Sequence, residues 1–133
     1  MRVLVVEDNK INLELITYLL KKAGFDVLQA KTGAEAMRLA RKRQLDLIVS
    51  DVLLPDICGC DLARRLRGDH RSRQIPLVAV TALAMVGDRE RIMEAGFDAY
   101  ISKPIDPRCF LEQINSLVES LERGNLNGYY FGR

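Results

Sequence analysis

Four places along the chain carry residues able to do chemistry together. Glu7 and Asp8 follow the apolar run Val3 to Val6. Asp51 follows Leu45 to Val49, with Ser50 between. Thr81 follows Leu77 to Val80, and Lys103 with Pro104 follows Ala99 to Ile101. The acids are oxygen donors without His or Cys, a set that suits a hard ion such as Mg²⁺. A carboxylate can also attack phosphorus to give an acyl phosphate. The metal and the Lys103 ammonium would then neutralise the phosphoryl oxygens, and the Thr81 hydroxyl would donate to one of them. Each acid taken alone could equally be a helix cap or a solvated loop charge.

For the four places to meet, strands must end at one edge of a sheet. The apolar runs lack polar alternation, which predicts strands buried on both faces of a parallel sheet. Val27 to Ala30 is a further, weaker run. Between the runs lie helical patterns. Ile11, Leu15 and Leu19 with Ile16 and Leu20 make a stripe from Asn9 to Ala23, stopped at Gly24. Ala36, Met37 and Ala40 mark a second helix after Gly33, and Leu62, Ala63 and Leu66 a third, ending near Gly68. Asp88 reads as the N-cap of a fourth, with Ile92 and Met93, ending near Gly96. Asp106-Pro107 opens a fifth, with its stripe at Phe110, Ile114, Leu117 and Leu121. Five strand–helix repeats predict a doubly wound sheet whose site lies beyond the carboxyl ends of the strands. If the first and third strands are neighbours, their ends lie about 4.8 Å apart and Asp8 crowds Asp51. Like charges that close raise a pKa or recruit a cation.

Composition narrows the classes. A length of 133 residues, 48% apolar and 29% charged, fits one globular domain. No run approaches the roughly 20 apolar residues of a membrane-spanning helix, and Glu7 and Asp8 cut short any signal peptide. Cys58, Cys60 and Cys109 read as reduced thiols of a cytoplasmic protein. A net charge of +2 is weak ground for nucleic-acid binding.

Glu7-Asp8-Asn9, Asp51 within Ser50-Asp51-Val52-Leu53-Leu54-Pro55, Thr81-Ala82 and Lys103-Pro104 together resemble the response-regulator receiver domain of two-component signalling. Gly87-Asp88, Ala95-Gly96 and Tyr100 extend the likeness, which covers residues 2 to about 122. It is nearest to stand-alone receivers and to the receiver modules of hybrid kinases. The resemblance implies an α/β, flavodoxin-like (βα)5 fold with a five-stranded parallel sheet in order 2-1-3-4-5. It implies that Asp51 accepts a phosphoryl group from a sensor histidine kinase or histidine phosphotransfer protein, as in a phosphorelay. Glu7 through water, Asp8, Asp51 and the backbone carbonyl of Leu53 would hold Mg²⁺ or Mn²⁺. Lys103 and Thr81 would bind the phosphoryl group, Tyr100 would switch inward as Thr81 moves, and the Lys103–Pro104 bond would be cis. The output would be the face of the fourth helix, fifth strand and fifth helix, read by a downstream effector protein. The domain would not be an enzyme beyond its own phosphotransfer and dephosphorylation, and would be a monomer or weak dimer. Leu53 and Leu83 lie two positions past Asp51 and Thr81, where the family lines the path of the hydrolytic water. Two bulky apolar groups there predict slow self-dephosphorylation.

Other features read more plainly. Leu54 stands where many members carry Met, a swap of little consequence. Arg64, Arg65, Arg67, Arg71, Arg73 and His70 read as a solvated surface without aromatic interleaving. Cys58-Gly59-Cys60 lacks a second pair at zinc spacing and reads as a loop and helix start. A receiver unit over 1–122 leaves residues 123–133 as a flexible tail, too short for an output module, although Tyr129, Tyr130 and Phe131 offer an aromatic docking strip. A flavin carrier would need a hydroxyl- and Gly-rich loop where Glu7-Asp8-Asn9-Lys10 stands. An aspartate-based phosphatase would want a second acid at Leu53, and a receiver-like module that is never phosphorylated would not need the full set of acids, Thr81 and Lys103.

Overall fold

The structure is a computed structural model and describes residues 1–83, 87–122 and 129–131. Strand β1 (Arg2–Val6) leads to α1 (Lys10–Lys22), β2 (Asp26–Ala30), α2 (Gly33–Lys42), β3 (Leu47–Ser50) and α3 (Gly59–Gly68). Then follow β4 (Leu77–Thr81), α4 (Asp88–Glu94), β5 (Ala99–Ser102), α5 (Pro107–Glu122) and β6 (Tyr129–Phe131). The sheet is parallel throughout, in order β2-β1-β3-β4-β5-β6. The five expected strands stand in the expected order. A sixth extends the sheet, where Tyr129, Tyr130 and Phe131 pair with Ala99, Tyr100 and Ile101. They carry no periodic pattern, and a three-residue strand gives almost none to read. The rest of the tail, 123–128 and 132–133, lies outside the described residues.

The middle strands are buried on both faces because helices cover both. Leu4, Val6, Ile48, Leu77 and Ala79 pack with Ala36 and Ala40 of α2, Leu62 and Leu66 of α3 and Ile92 of α4. Val3, Val5, Val49, Val78, Val80 and Ile101 pack on the other side with Leu13, Ile16 and Leu20 of α1 and Phe110, Ile114 and Leu117 of α5. Alternation along each strand thus feeds two apolar layers instead of one layer and solvent.

Caps set where the helices begin. Asn9 accepts the Asn12 N–H at 3.0 Å to start α1, and Thr32 accepts that of Glu35 at 3.1 Å to start α2. Asp106 accepts the Arg108 N–H at 3.0 Å at the start of α5. The fourth helix corrects the reading from sequence: Gly87, in the left-handed region at φ 93°, is the N-cap, and Asp88 is already inside the helix. Asp88 pairs with Arg91 one turn on, at 2.6 Å. No described helix is long and apolar enough to cross a membrane.

Candidate functional site

The register of β1 against β3 pairs Val6 with Ser50, so Glu7 and Asp51 leave the sheet side by side. The Asp51 N–H donates to the Val6 carbonyl at 2.9 Å and fixes that juxtaposition. Thr81 ends β4 opposite Ser102, and the Lys103 N–H donates to the Thr81 carbonyl at 2.9 Å. Four sequence-distant residues are thereby held at one sheet edge by backbone ladders alone.

The side chains of Glu7, Asp51 and Lys103 converge, with Asp8 beside them. Glu7 and Asp51 are buried, at 2% and 7% exposed, while Asp8 is open to solvent. Glu7, Asp8 and Asp51 each offer an oxygen, and these oxygens all lie within 4.8 Å of one another. The Lys103 Nζ sits between the buried acids, 2.7 Å from Glu7 Oε1 and 2.7 Å from Asp51 Oδ2. Three carboxylates and one ammonium leave a formal charge of −2, which one divalent cation would cancel. Carboxylate oxygens so close, one of them facing solvent, fit Mg²⁺.

Burial pushes the Glu7 carboxyl above the ordinary range, against the hydrogen bonds from Lys103 and the Asn9 N–H that pull it down. For Lys103 burial works against the charged form. The hydrogen bonds to Asp51 and Glu7 outweigh it and hold the ammonium above its usual pKa. Lys103 therefore stays charged at any physiological pH.

The loop after β3 is shaped by contacts that the sequence does not announce. Asp51 Oδ1 accepts the Leu53 N–H at 3.1 Å, and the Ser50 hydroxyl donates to the Asp51 carbonyl at 2.9 Å. The Gly59 N–H donates to the Val52 carbonyl at 2.6 Å. A Cβ on Gly59 would stand 2.6 Å from both the Asp51 carbonyl oxygen and the Val52 Cα, so only glycine lets α3 start this close to the acid. Its position inside Cys58-Gly59-Cys60 is the one hint that the sequence offers. Burial raises the Cys60 thiol to about 11, and Cys58 adds to that shift. The cysteines are free, and the triplet is a loop and helix start as expected.

Thr81 is fully buried, and its hydroxyl accepts the Leu83 N–H at 3.3 Å. Tyr100 is 3% exposed and donates its hydroxyl to the Leu83 carbonyl. The Arg89 guanidinium lies over its ring, 5.6 Å from the centroid. Leu53 is exposed and Leu83 half-buried. The Lys103–Pro104 peptide bond is cis.

A doubly wound fold thus holds the buried Asp51 carboxylate beside an ammonium and two further acids at one sheet edge. That combination defines a receiver-type phosphoacceptor domain. The family model for the response regulator receiver domain matches residues 3–115, and the chain belongs to that family. Among curated proteins it is similar to the polar-differentiation response regulators DivK of Brucella ovis and Brucella melitensis. Each is 44% identical over 116 residues, covering 87% of this chain and 94% of the relative. Among solved structures it resembles the receiver domain of a sensor histidine kinase from Pseudomonas aeruginosa PAO1, which has a magnesium ion coordinated in its active-site cleft. The TM-score is 0.82 at 32% identity, covering 90% of this chain and 98% of that one. A CheY-like receiver from Methanospirillum hungatei gives a TM-score of 0.84 at 28% identity, covering 93% and 98%.

Proposed function

We propose that Asp51 is the phosphoacceptor of a two-component switch, and that the observation carrying this reading is the Lys103 ammonium set between Asp51 and Glu7. An Asp51 carboxylate oxygen attacks the phosphorus of a phosphohistidine. The P–N bond breaks, and the imidazole leaves with the bonding pair and takes up a proton. Glu7, Asp8 and Asp51, with the Leu53 carbonyl, would hold Mg²⁺, which supplies charge neutralisation at the phosphoryl oxygens when bound. Lys103 pairs with the phosphoryl group, and the Thr81 hydroxyl donates to one of its oxygens. Leu53 and Leu83 flank the approach of water and slow hydrolysis.

The readout runs through the loop after β4. If Thr81 turns toward the phosphoryl group, it gives up the Leu83 N–H, and Leu83 is also the residue that holds the Tyr100 hydroxyl. The switch therefore acts on α4, β5 and α5, the face we assign to a downstream effector protein. A population change from 1:99 to 99:1 would need about 5.5 kcal/mol of difference in binding between the two states.

The donor is a sensor histidine kinase or histidine phosphotransfer protein. The acidic edge is rimmed by apolar groups, Ile11 at 77% and Leu53 at 56% exposed, which suit docking of a helical partner. The likeness to the DivK relatives supports control of polar differentiation as the corresponding output. Free cysteines and a phosphohistidine donor fit a cytoplasmic setting. The test is incubation with acetyl phosphate and Mg²⁺, read by intact mass. Wild type gains one phosphoryl group and Asp51→Asn gains none. No gain on wild type, or equal labelling of both, overturns the reading.

A further inference from the structure

We propose that the groove between α2 and α3 is a docking surface for an acidic segment of a partner protein. The groove has a volume of about 980 Å³ and lies apart from the acidic site. Its charges are not equivalent. Of its two acids, Asp56 spends its carboxylate on the Gly33 and Ala34 N–H groups at 2.8 and 3.0 Å, holding the N-terminus of α2. Asp69 spends its own on Arg41 at 3.0 Å and on the Arg71 N–H at 3.0 Å.

The cations divide differently. Arg64 pairs with Asp61 outside the groove. Arg67 is committed to the Gly96, Arg73 and Ile75 carbonyls and to Asp98. Among the described residues nothing engages the guanidinium of Arg65 or of Arg71, and both line the groove beside exposed His70. The acids and Arg41 are satisfied internally while Arg65 and Arg71 are left open, so the groove complements negative charge.

The floor decides the class of ligand. Met37 and Ile57 are half-buried and apolar, and no Phe, Tyr or Trp lines the groove, which leaves the exposed His70 as its one ring. A peptide segment that alternates acids with aliphatic side chains matches both the open guanidiniums and the apolar floor. A methyl group added to Gly68 would meet nothing within 4 Å, so there is room at that end of the groove.

The test uses the full chain and does not depend on phosphorylation. A short peptide of the repeat Glu-Glu-Leu is titrated into ¹⁵N-labelled protein at low salt. A Lys-Lys-Leu peptide and a single-stranded oligothymidine serve as comparisons. Shifts are expected to concentrate on the Gly33, Gly68 and His70 amides, for the acidic peptide alone, and to weaken as salt is added. The double variant Arg65→Glu, Arg71→Glu should bind at least about tenfold more weakly, while its spectrum remains folded and its phosphorylation at Asp51 is unchanged. Gly68→Ala should bind as wild type does. Shifts that scatter over the surface, or survive the double variant, overturn the proposal. Equal shifts from oligothymidine would overturn it in favour of a nucleic-acid surface.

Discussion

Lys103 Nζ and Asp51 Oδ2 stand 2.7 Å apart, joining the end of β5 to the end of β3 across 52 residues of sequence. The same ammonium reaches Glu7 at the end of β1, so one cation ties three strand ends together. Removing it should have two opposite effects. Lys103→Met leaves two buried carboxylates facing each other without a counter-charge. Mg²⁺ should then bind more tightly, because the ion no longer competes with an ammonium for the same oxygens. Phosphorylation by acetyl phosphate should fall by about a hundredfold, the usual loss when one preorganised charge donor is removed. Isothermal titration calorimetry and intact mass read the two effects separately.

Leu53→Asn places a polar group at the exposed position two residues after Asp51. Loss of phosphate from phosphorylated protein should become several-fold faster, since an amide can hold a water where a leucine excludes one. A time course of intact mass after removal of the phosphodonor checks this. An unchanged lifetime would remove Leu53 from the account of slow hydrolysis.

Tyr100 has two separable contributions. Tyr100→Phe keeps the ring under Arg89 and deletes only the bond to the Leu83 carbonyl, at a cost of about 1 kcal/mol. Tyr100→Ala also empties a buried ring and should cost about 3–5 kcal/mol. Urea denaturation measures both. A Phe variant as unstable as the Ala variant would contradict this division.

Most of the candidate site's membership was legible because each residue lies within two positions of the end of an apolar run. Glu7, Asp8, Asp51, Thr81 and Lys103 announce themselves by position, and parallel pairing then brings them together. What sequence could not assign depends on contacts between distant segments. Arg67 looks like its neighbours Arg64 and Arg65, yet it is the one tied to Gly96 and Asp98, 29 and 31 residues away. Gly59 reads as an ordinary loop glycine until the Asp51 carbonyl is found against it. Asp88 has the composition of a cap, but the left-handed backbone needed just before the helix falls to Gly87.

Gly59→Ala should therefore be costly, although glycine to alanine inside a helix usually stabilises. The added methyl would press on the Asp51 carbonyl and the Val52 Cα, at about 1–3 kcal/mol of overpacking. Gly68→Ala, on the same helix and with open space around it, should be neutral or stabilising. Melting temperatures of the two variants should separate, with Gly59→Ala below wild type and Gly68→Ala at or above it.

Acid should weaken the fold partly through Asp56. Hydrogen bonds from the Gly33 N–H and then the Ala34 N–H hold its carboxyl below the unperturbed 3.8. A depressed folded-state pKa contributes stability above the unfolded value, and that contribution is lost as pH falls below it toward the folded one. Between pH 6 and pH 3, Asp56→Asn should thus lose less thermal stability than wild type does. Parallel losses in both proteins would mean that Asp56 adds nothing to the acid response.

The sheet also acts as a partition. Val52, Leu54, Leu83 and Tyr100, which border the acid, the hydroxyl and the readout strand, all belong to the layer shared with α2, α3 and α4. The layer under α1 and α5 contains none of them. A change at Asp51 would therefore meet the α2, α3 and α4 side first and would reach α5 through β5, whose Ile101 packs in the other layer.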